Sequence, residues 1–198
     1  MKILIAIPAY ENILPDTFQS VWDLDKCGHD CRFIFVRGYD VAMSRNRMAN
    51  KAIEVGADYI LMVDNDVVLP EDALKLLLED IKPVCLGVYP YRPKEEKPVD
   101  RTIIFKNEKE FYTLDEMYAL ESKKIEVPAG GLGCALISTE VFNKLPYPWF
   151  VWSSNIFDRS KDCSEDVYFC KQCKAHGIPV YADFRVRCAH AVRFIKYI

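Results

Sequence analysis

Asp64-Asn65-Asp66 sets two carboxylates one residue apart at the end of the apolar run Tyr59 to Val63, with Val67, Val68, Leu69 and Pro70 following. An apolar run of that length between polar residues predicts a buried strand ending at the carboxyl edge of a sheet. Side chains alternate along an extended segment, so Asp64 and Asp66 point to the same side. Paired carboxylates suit a hard divalent cation, Mg²⁺ or Mn²⁺, which in turn bridges phosphates. Ligands of open α/β sheets bind at that edge. The same tripeptide also serves as a charged turn that merely stops a strand, so the rest of the chain has to distinguish the two.

Several other groups carry chemistry. Pro8, Ala9 and Tyr10, followed by Glu11, end the first apolar run and can hold a nucleobase or ribose through backbone groups and the Tyr10 ring. Ser44-Arg45-Asn46-Arg47 stands at a predicted helix start, where arginine and free N–H groups make a pyrophosphate site. A capped helix with solvated arginines is the plain alternative. Ser164-Glu165-Asp166 opens the last long helix, where a serine cap and first-turn acids are stabilising on structural grounds alone. The functional alternative is that Asp166 serves as general base, taking a proton from an acceptor hydroxyl, while Glu165 orients it or touches the acceptor. His190 becomes a third metal ligand if the chain end folds back to the aspartates. Gly131 and Gly133 allow close backbone approach to a ligand, although glycine runs also simply make turns. Trp149 and Trp152, around Phe150, offer faces for a sugar or else core area.

These residues need a scaffold. The chain has 198 residues, a formal charge of −3 and ordinary globular composition, which argues against general affinity for nucleic acid or an anionic membrane. No apolar stretch reaches the ~20 residues of a membrane-spanning helix, and the expected location is the cytoplasm, a host's if the protein is viral. Strands are predicted at 2–8, 31–36, 59–63 and 84–88, with helices at 12–27, from Ser44 to Gly56, and at 71–80. That alternation predicts an α/β fold with a mostly parallel sheet. Residues 89–100 read as a loop. Short strands are expected near 102–106, 125–128, 134–138, 179–182 and 185–188, with a helix from Ser164 to about His176. Of the eight cysteines, Cys163, Cys170, Cys173 and Cys188 with His190 invite a zinc reading, but reduced, mostly buried thiols are the expectation.

In order and spacing, these motifs resemble the family-2-like glycosyltransferases of the glycosyltransferase-A fold. The matching elements are Ile7-Pro8-Ala9-Tyr10, Ser44-Arg45-Asn46-Arg47 with Asn50, Met62-Val63-Asp64-Asn65-Asp66 with Pro70, and Gly130 to Ile137. Pro148-Trp149-Phe150, Ser164 to Cys170 and Cys188-Ala189-His190 complete the set, which covers nearly the whole chain. The resemblance implies a single domain over 1–198, a mostly parallel sheet flanked by helices, with a nucleotide-binding half (1–100) and an acceptor and catalytic half (101–198). It implies a nucleoside diphosphate sugar donor, a UDP-sugar above all, and a divalent metal, Mn²⁺ or Mg²⁺. Asp66 would ligate the metal, with His190 as a further ligand, Asp64 would contact the ribose or a metal-bound water, and Asn65 would lie at the donor. Asp166 would be the base of an inverting transfer. Where many relatives carry Asp-Asp-Gly-Ser, this chain reads Val36-Arg37-Gly38-Tyr39-Asp40, leaving Asp40 for the nucleotide.

The acceptor implied is a hydroxyl on a glycan, lipid carrier or protein. A hydroxymethylated DNA base would need a basic face, for which Arg92, Lys94, Lys97, Arg101, Lys106, Arg185, Arg187, Arg193 and Lys196 are available. Two rivals remain. A nucleotidyltransferase would need a glycine-rich basic loop that Pro8-Ala9-Tyr10-Glu11 does not supply, and a non-catalytic nucleotide-sugar or carbohydrate-binding module would have no use for both acidic motifs.

Overall fold

In a computed structural model, residues 1–10, 12–91, 100–120, 122–154 and 162–191 are described. Glu11, Arg92, Lys94, Lys97, Arg193 and Lys196 lie outside them. The order is β1 (Lys2–Ala9), α1 (Pro15–Asp23), β2 (Asp30–Arg37), α2 (Val41–Glu54), β3 (Tyr59–Val63), β4 (Val67–Val68), α3 (Ala73–Leu78) and β5 (Val84–Val88). Then come α4 (Leu114–Ala119), β6 (Lys124–Glu126), β7 (Cys134–Ser138), α5 (Thr139–Lys144), α6 (Glu165–Ala175), β8 (Val180–Arg187) and β9 (Ala189–His190).

Seven strands form one sheet in the order β2-β1-β3-β7-β5-β8-β6. β1 is parallel to β2 and β3, and β5 to β8, while β7 runs antiparallel between β3 and β5. Five strands therefore point one way, and β7 and β6 oppose them. The mostly parallel character expected from the strand–helix alternation holds. The antiparallel β7 interleaves the two halves of the chain.

The apolar runs are continuous because both faces of the central strands are covered. In β1, Ile3, Ile5 and Ile7 enter one core layer with Leu61, Leu74 and Leu77, under α1 and α3. Leu4 and Ala6 enter the other, with Met48, Met62, Phe142, Phe150, Phe169 and Phe184, under α2, α5 and α6. Phe150 and Phe169 stack at 4.9 Å between centroids.

Element ends shift where local chemistry overrides periodicity. α2 begins at Val41 because Asp40 caps it, its Oδ1 accepting from the Met43 N–H at 3.0 Å. Ser44, the expected start, lies inside the helix with its hydroxyl on the Tyr39 carbonyl. α1 and α3 are shorter than expected, Pro15 opening the first and Asp72 preceding the second. The two strands expected near 179–188 are one, β8. The strand expected at 102–106 is a set of single bridges, Thr102 to Pro90, Ile104 to Gly130 and Phe105 to Phe111.

At the far edge, Asp183 is fully buried and accepts from Arg185 Nη2 at 2.7 Å, with Lys124 Nζ 3.5 Å away. Lys124 also donates to the carbonyls of Leu76, Leu77 and Glu79, closing the end of α3. All eight cysteines are free thiols, and burial pushes Cys85 and Cys170 up to about 12. No described helix is long and apolar enough to cross a membrane.

Candidate active site

β3 runs straight into Asp64 at the carboxyl edge, and the chain end returns to meet it. β9 pairs antiparallel with β4, placing His190 opposite Val67, and the Ala191 N–H donates to the Asp66 carbonyl at 2.8 Å. His190 Nε2 thereby stands 3.4 Å from Asp66 Oδ2. The other ring nitrogen, Nδ1, lies 3.1 Å from the Pro90 carbonyl. A carbonyl only accepts, so Nδ1 carries the proton, and in the neutral ring the Nε2 lone pair is turned to the carboxylate. A backbone carbonyl behind a histidine is the usual outer support of a metal ligand. Among the described residues, no three His, Cys, Asp or Glu side chains are grouped to enclose a metal by themselves. Mn²⁺ or Mg²⁺ shared with phosphates needs only one or two protein ligands, so Asp66 and His190 fit such an ion as part of its shell.

Behind them sits Arg45, only 2% exposed on the inner face of α2. Its Nη2 donates to Asp64 Oδ1 at 2.8 Å, and its Nε is 3.2 Å from Glu165 Oε1. Burial works against the guanidinium charge, but Asp64, Glu165 and Asp166 outweigh it and hold Arg45 firmly cationic. Burial raises the carboxyls of both Asp64 and Glu165, with Arg45 opposing; Asp66 and Asp166 add to the rise at Asp64, and Asp166 at Glu165. The two acidic motifs, a hundred residues apart, therefore share one end of the sheet and one cation. Asp166 Oδ1 accepts from the Val167 N–H at 2.7 Å and from the Ser164 hydroxyl, so Ser164 occupies the cap position but spends its hydroxyl on Asp166.

Tyr89, the residue after β5, was not singled out by its sequence. It is 3% exposed, its oxygen accepts the Gly133 N–H at 2.9 Å, and its ring meets His190 edge-on at 5.4 Å. Burial and then Asp64 hold the phenol far above its usual range, so it stays neutral. A Cβ on Gly133 would lie 2.4 Å from the Tyr89 hydroxyl and 2.8 Å from Asp64 Oδ2, and one on Gly131 would lie 2.9 Å from that hydroxyl. Both glycines therefore serve close packing behind Asp64. The sequence signal was present: an apolar strand ending at this edge, then an aromatic with a polar tip.

Other expectations need correction. Arg45, expected at a pyrophosphate, is buried between Asp64 and Glu165, and its Nη1 has no hydrogen-bond partner among the described residues. Glu165 is 4% exposed and faces Arg45. Asp40 caps α2 through Oδ1 and is otherwise exposed. Trp149 is core: its Nε1 donates to the Phe142 carbonyl at 3.0 Å and its ring packs on Phe142. Trp152 is 57% exposed, and Tyr10, at the end of β1, is 69% exposed. Pro8 is half-buried and Ala9 buried beside them. Asn65 donates to the Asn12 carbonyl at 2.9 Å, tying the turn after β1 to the aspartate turn. The described members of the basic set are engaged singly: Arg185 with Asp183 and Glu79, Lys106 with Glu116, Arg101 over Tyr91, and Arg187 over Tyr118.

Solved structures share this fold. GalNAc-T7, solved with UDP, GalNAc and Mn²⁺, superposes with a TM-score of 0.66 at 12% identity, covering 98% of this chain and 44% of that one. S. aureus TarS 1–349, in complex with UDP-GlcNAc, gives 0.53 at 13% identity, covering 99% of this chain and 60% of that one. The fold is glycosyltransferase-A-like. A197 from STIV gives 0.66 at 21% identity, over 98% of this chain and 87% of that chain. This chain thus spans about half the length of the two glycosyltransferases and most of A197. No protein-family profile and no curated protein sequence matches it. In the glycosyltransferase-A-like frame the acidic turn, Arg45 and the start of α6 all lie at the carboxyl edge, where ligands of such sheets bind.

Proposed function

We propose that the protein moves a sugar from a UDP-sugar to an acceptor hydroxyl with the help of Mn²⁺ or Mg²⁺. The observation that carries this reading is the facing of Asp66 Oδ2 and His190 Nε2 at 3.4 Å, on the edge that also holds Asp64 and Asp166. A bound cation would offset the charge that develops on the leaving diphosphate. Asp66 and His190 would hold it, and Asp64, anchored by Arg45, would face the donor. The Tyr10 ring and the backbone of Pro8 and Ala9 would flank the nucleoside.

Asp166 acts on the other partner. As the acceptor oxygen bonds to the anomeric carbon and the bond to the diphosphate breaks, the hydroxyl proton passes to Asp166. Two donors fix Oδ1, leaving Oδ2 to take that proton. Direct displacement inverts the anomeric centre. Glu165 positions rather than reacts, by holding Arg45 against Asp64.

A panel of nucleotide sugars, scored by thermal shift with and without Mn²⁺, tests the reading, because only true ligands stabilise the native state by mass action. A UDP-sugar should raise the Tm in a Mn²⁺-dependent way, and Asp66→Ala and His190→Ala should remove that dependence. Transfer that survives chelator in the Asp66→Ala variant would overturn it.

A further inference from the structure

Outside the acidic edge, a groove of about 820 Å³ runs along the outer side of α2, between that helix and the 147–152 segment. Its volume falls within the roughly 300–1,000 Å³ of ligand-holding clefts. One end is Asp40 at the start of α2, on the carboxyl edge, and the other is Glu54. Its walls carry two exposed rings, Trp152 at 57% and Tyr147 at 64%. Exposed aromatics are common singly, but these two line one cleft with Asn50 and Arg47.

The floor of the groove and one wall are tied down. Asn46 spends its whole amide on its floor: Nδ2 donates to the carbonyls of Ala42 and Phe150, and Oδ1 accepts from the N–H groups of Trp149 and Phe150. The Tyr147 ring is braced edge-on against the buried Trp149 at 5.2 Å. An aromatic platform held this way loses little freedom when a ligand covers it.

Its charges cancel. Lys51 pairs with Glu54 at 2.7 Å, Arg47 lies over the Tyr39 ring at 4.0 Å, and Asp40 adds a second acid at the other end. A nucleic-acid track needs unbalanced positive charge along its length, and this groove has none. Flat apolar faces beside amide and guanidinium donors suit a neutral, polyhydroxylated ligand with apolar C–H faces. That is the chemistry of a saccharide.

We propose that the α2 groove is a saccharide channel that seats the non-reacting units of a carbohydrate acceptor, Trp152 and Tyr147 being its stacking platforms. This rests on the sugar-transfer reading above and selects a glycan among its possible acceptors. The test titrates the full chain with maltohexaose, chitohexaose and a mannohexaose, following tryptophan fluorescence and saturation-transfer NMR. Trp152→Ala and Tyr147→Ala are compared with the wild type after circular dichroism shows them folded. One hexasaccharide should bind, and each substitution should weaken it about tenfold. Absence of binding, or binding unchanged in both variants, overturns the proposal; so does salt-sensitive binding of duplex DNA that Trp152→Ala abolishes. Release of UDP from a UDP-sugar by the wild-type chain, as the sugar passes to a hexasaccharide hydroxyl or to water, separates the two claims. Turnover without saccharide binding sinks the groove alone, whereas saccharide binding without turnover sinks the transfer reading and leaves the groove a saccharide site.

Discussion

Arg45 concentrates the physics of the site in one side chain. A buried guanidinium is tolerable only when paired, and removing either acid exposes the cost of the other charge. The raised carboxyl of Glu165 gives this a pH signature. The folded chain binds that proton more tightly than the unfolded chain, so stability falls as pH rises from the ordinary 4.5 through the raised value. Urea midpoints across that range should show a smaller fall for Glu165→Gln than for the wild type, and equal slopes would contradict the assignment. Tyr89→Phe strips the acceptor from the buried Gly133 N–H and should cost about 1–3 kcal/mol by the same measurement. Arg45 also shows what residue type conceals. Arginine suggests solvent, yet Arg45, Met48, Ala49 and Ala52 follow the i, i+3, i+4, i+7 spacing of a buried stripe, so its inward position was legible. Its partners were not, since nothing local pairs position 45 with positions 64 and 165.

Elements were legible where an apolar run ends cleanly. β3, β5 and β7 match their expected bounds because both of their faces are covered and polar residues or turns close them. The start of α2 was misplaced because Asp40, as good a cap as Ser44 and one turn earlier, lies where the sequence suggested a nucleotide contact. The bridges around Thr102 were unreadable as a strand, their partners being scattered over Pro90, Phe111 and Gly130. Two predictions belong here. Gly133→Ala at the entry to β7 drives a methyl into Tyr89 and Asp64, and should cost about 1–3 kcal/mol in chemical denaturation while weakening UDP-sugar binding. Asp183→Ala in β8 leaves Lys124 as a buried charge without its acid and should cost about 3–5 kcal/mol. A loss below ~1 kcal/mol would mean that water reaches Lys124.

For the molecule as a whole, one sheet separates two core layers and both contain residues from each half of the sequence. Neither layer is complete without β7 inserted between β3 and β5, so the halves should not melt apart. Thermal unfolding followed by far-UV circular dichroism and by tryptophan fluorescence should give coincident transitions, and two separated midpoints would refute this. The strand–helix rhythm of the first hundred residues announced the sheet. The strand order across its middle was hidden, because an antiparallel insertion depends on contacts between distant segments that no window along the chain contains.

The ribbon made by β4 and β9 has only two residues on each side, and so short a pair is marginal when taken alone. It is therefore where the native protein should breathe first, through local opening well below the free energy of global unfolding. Deuterium should enter the amides of Val68 and Ala191 sooner than those of Ile60 to Met62. UDP together with Mn²⁺ should then slow that exchange, making isotope uptake at this clasp a gauge of occupancy even when no sugar is transferred.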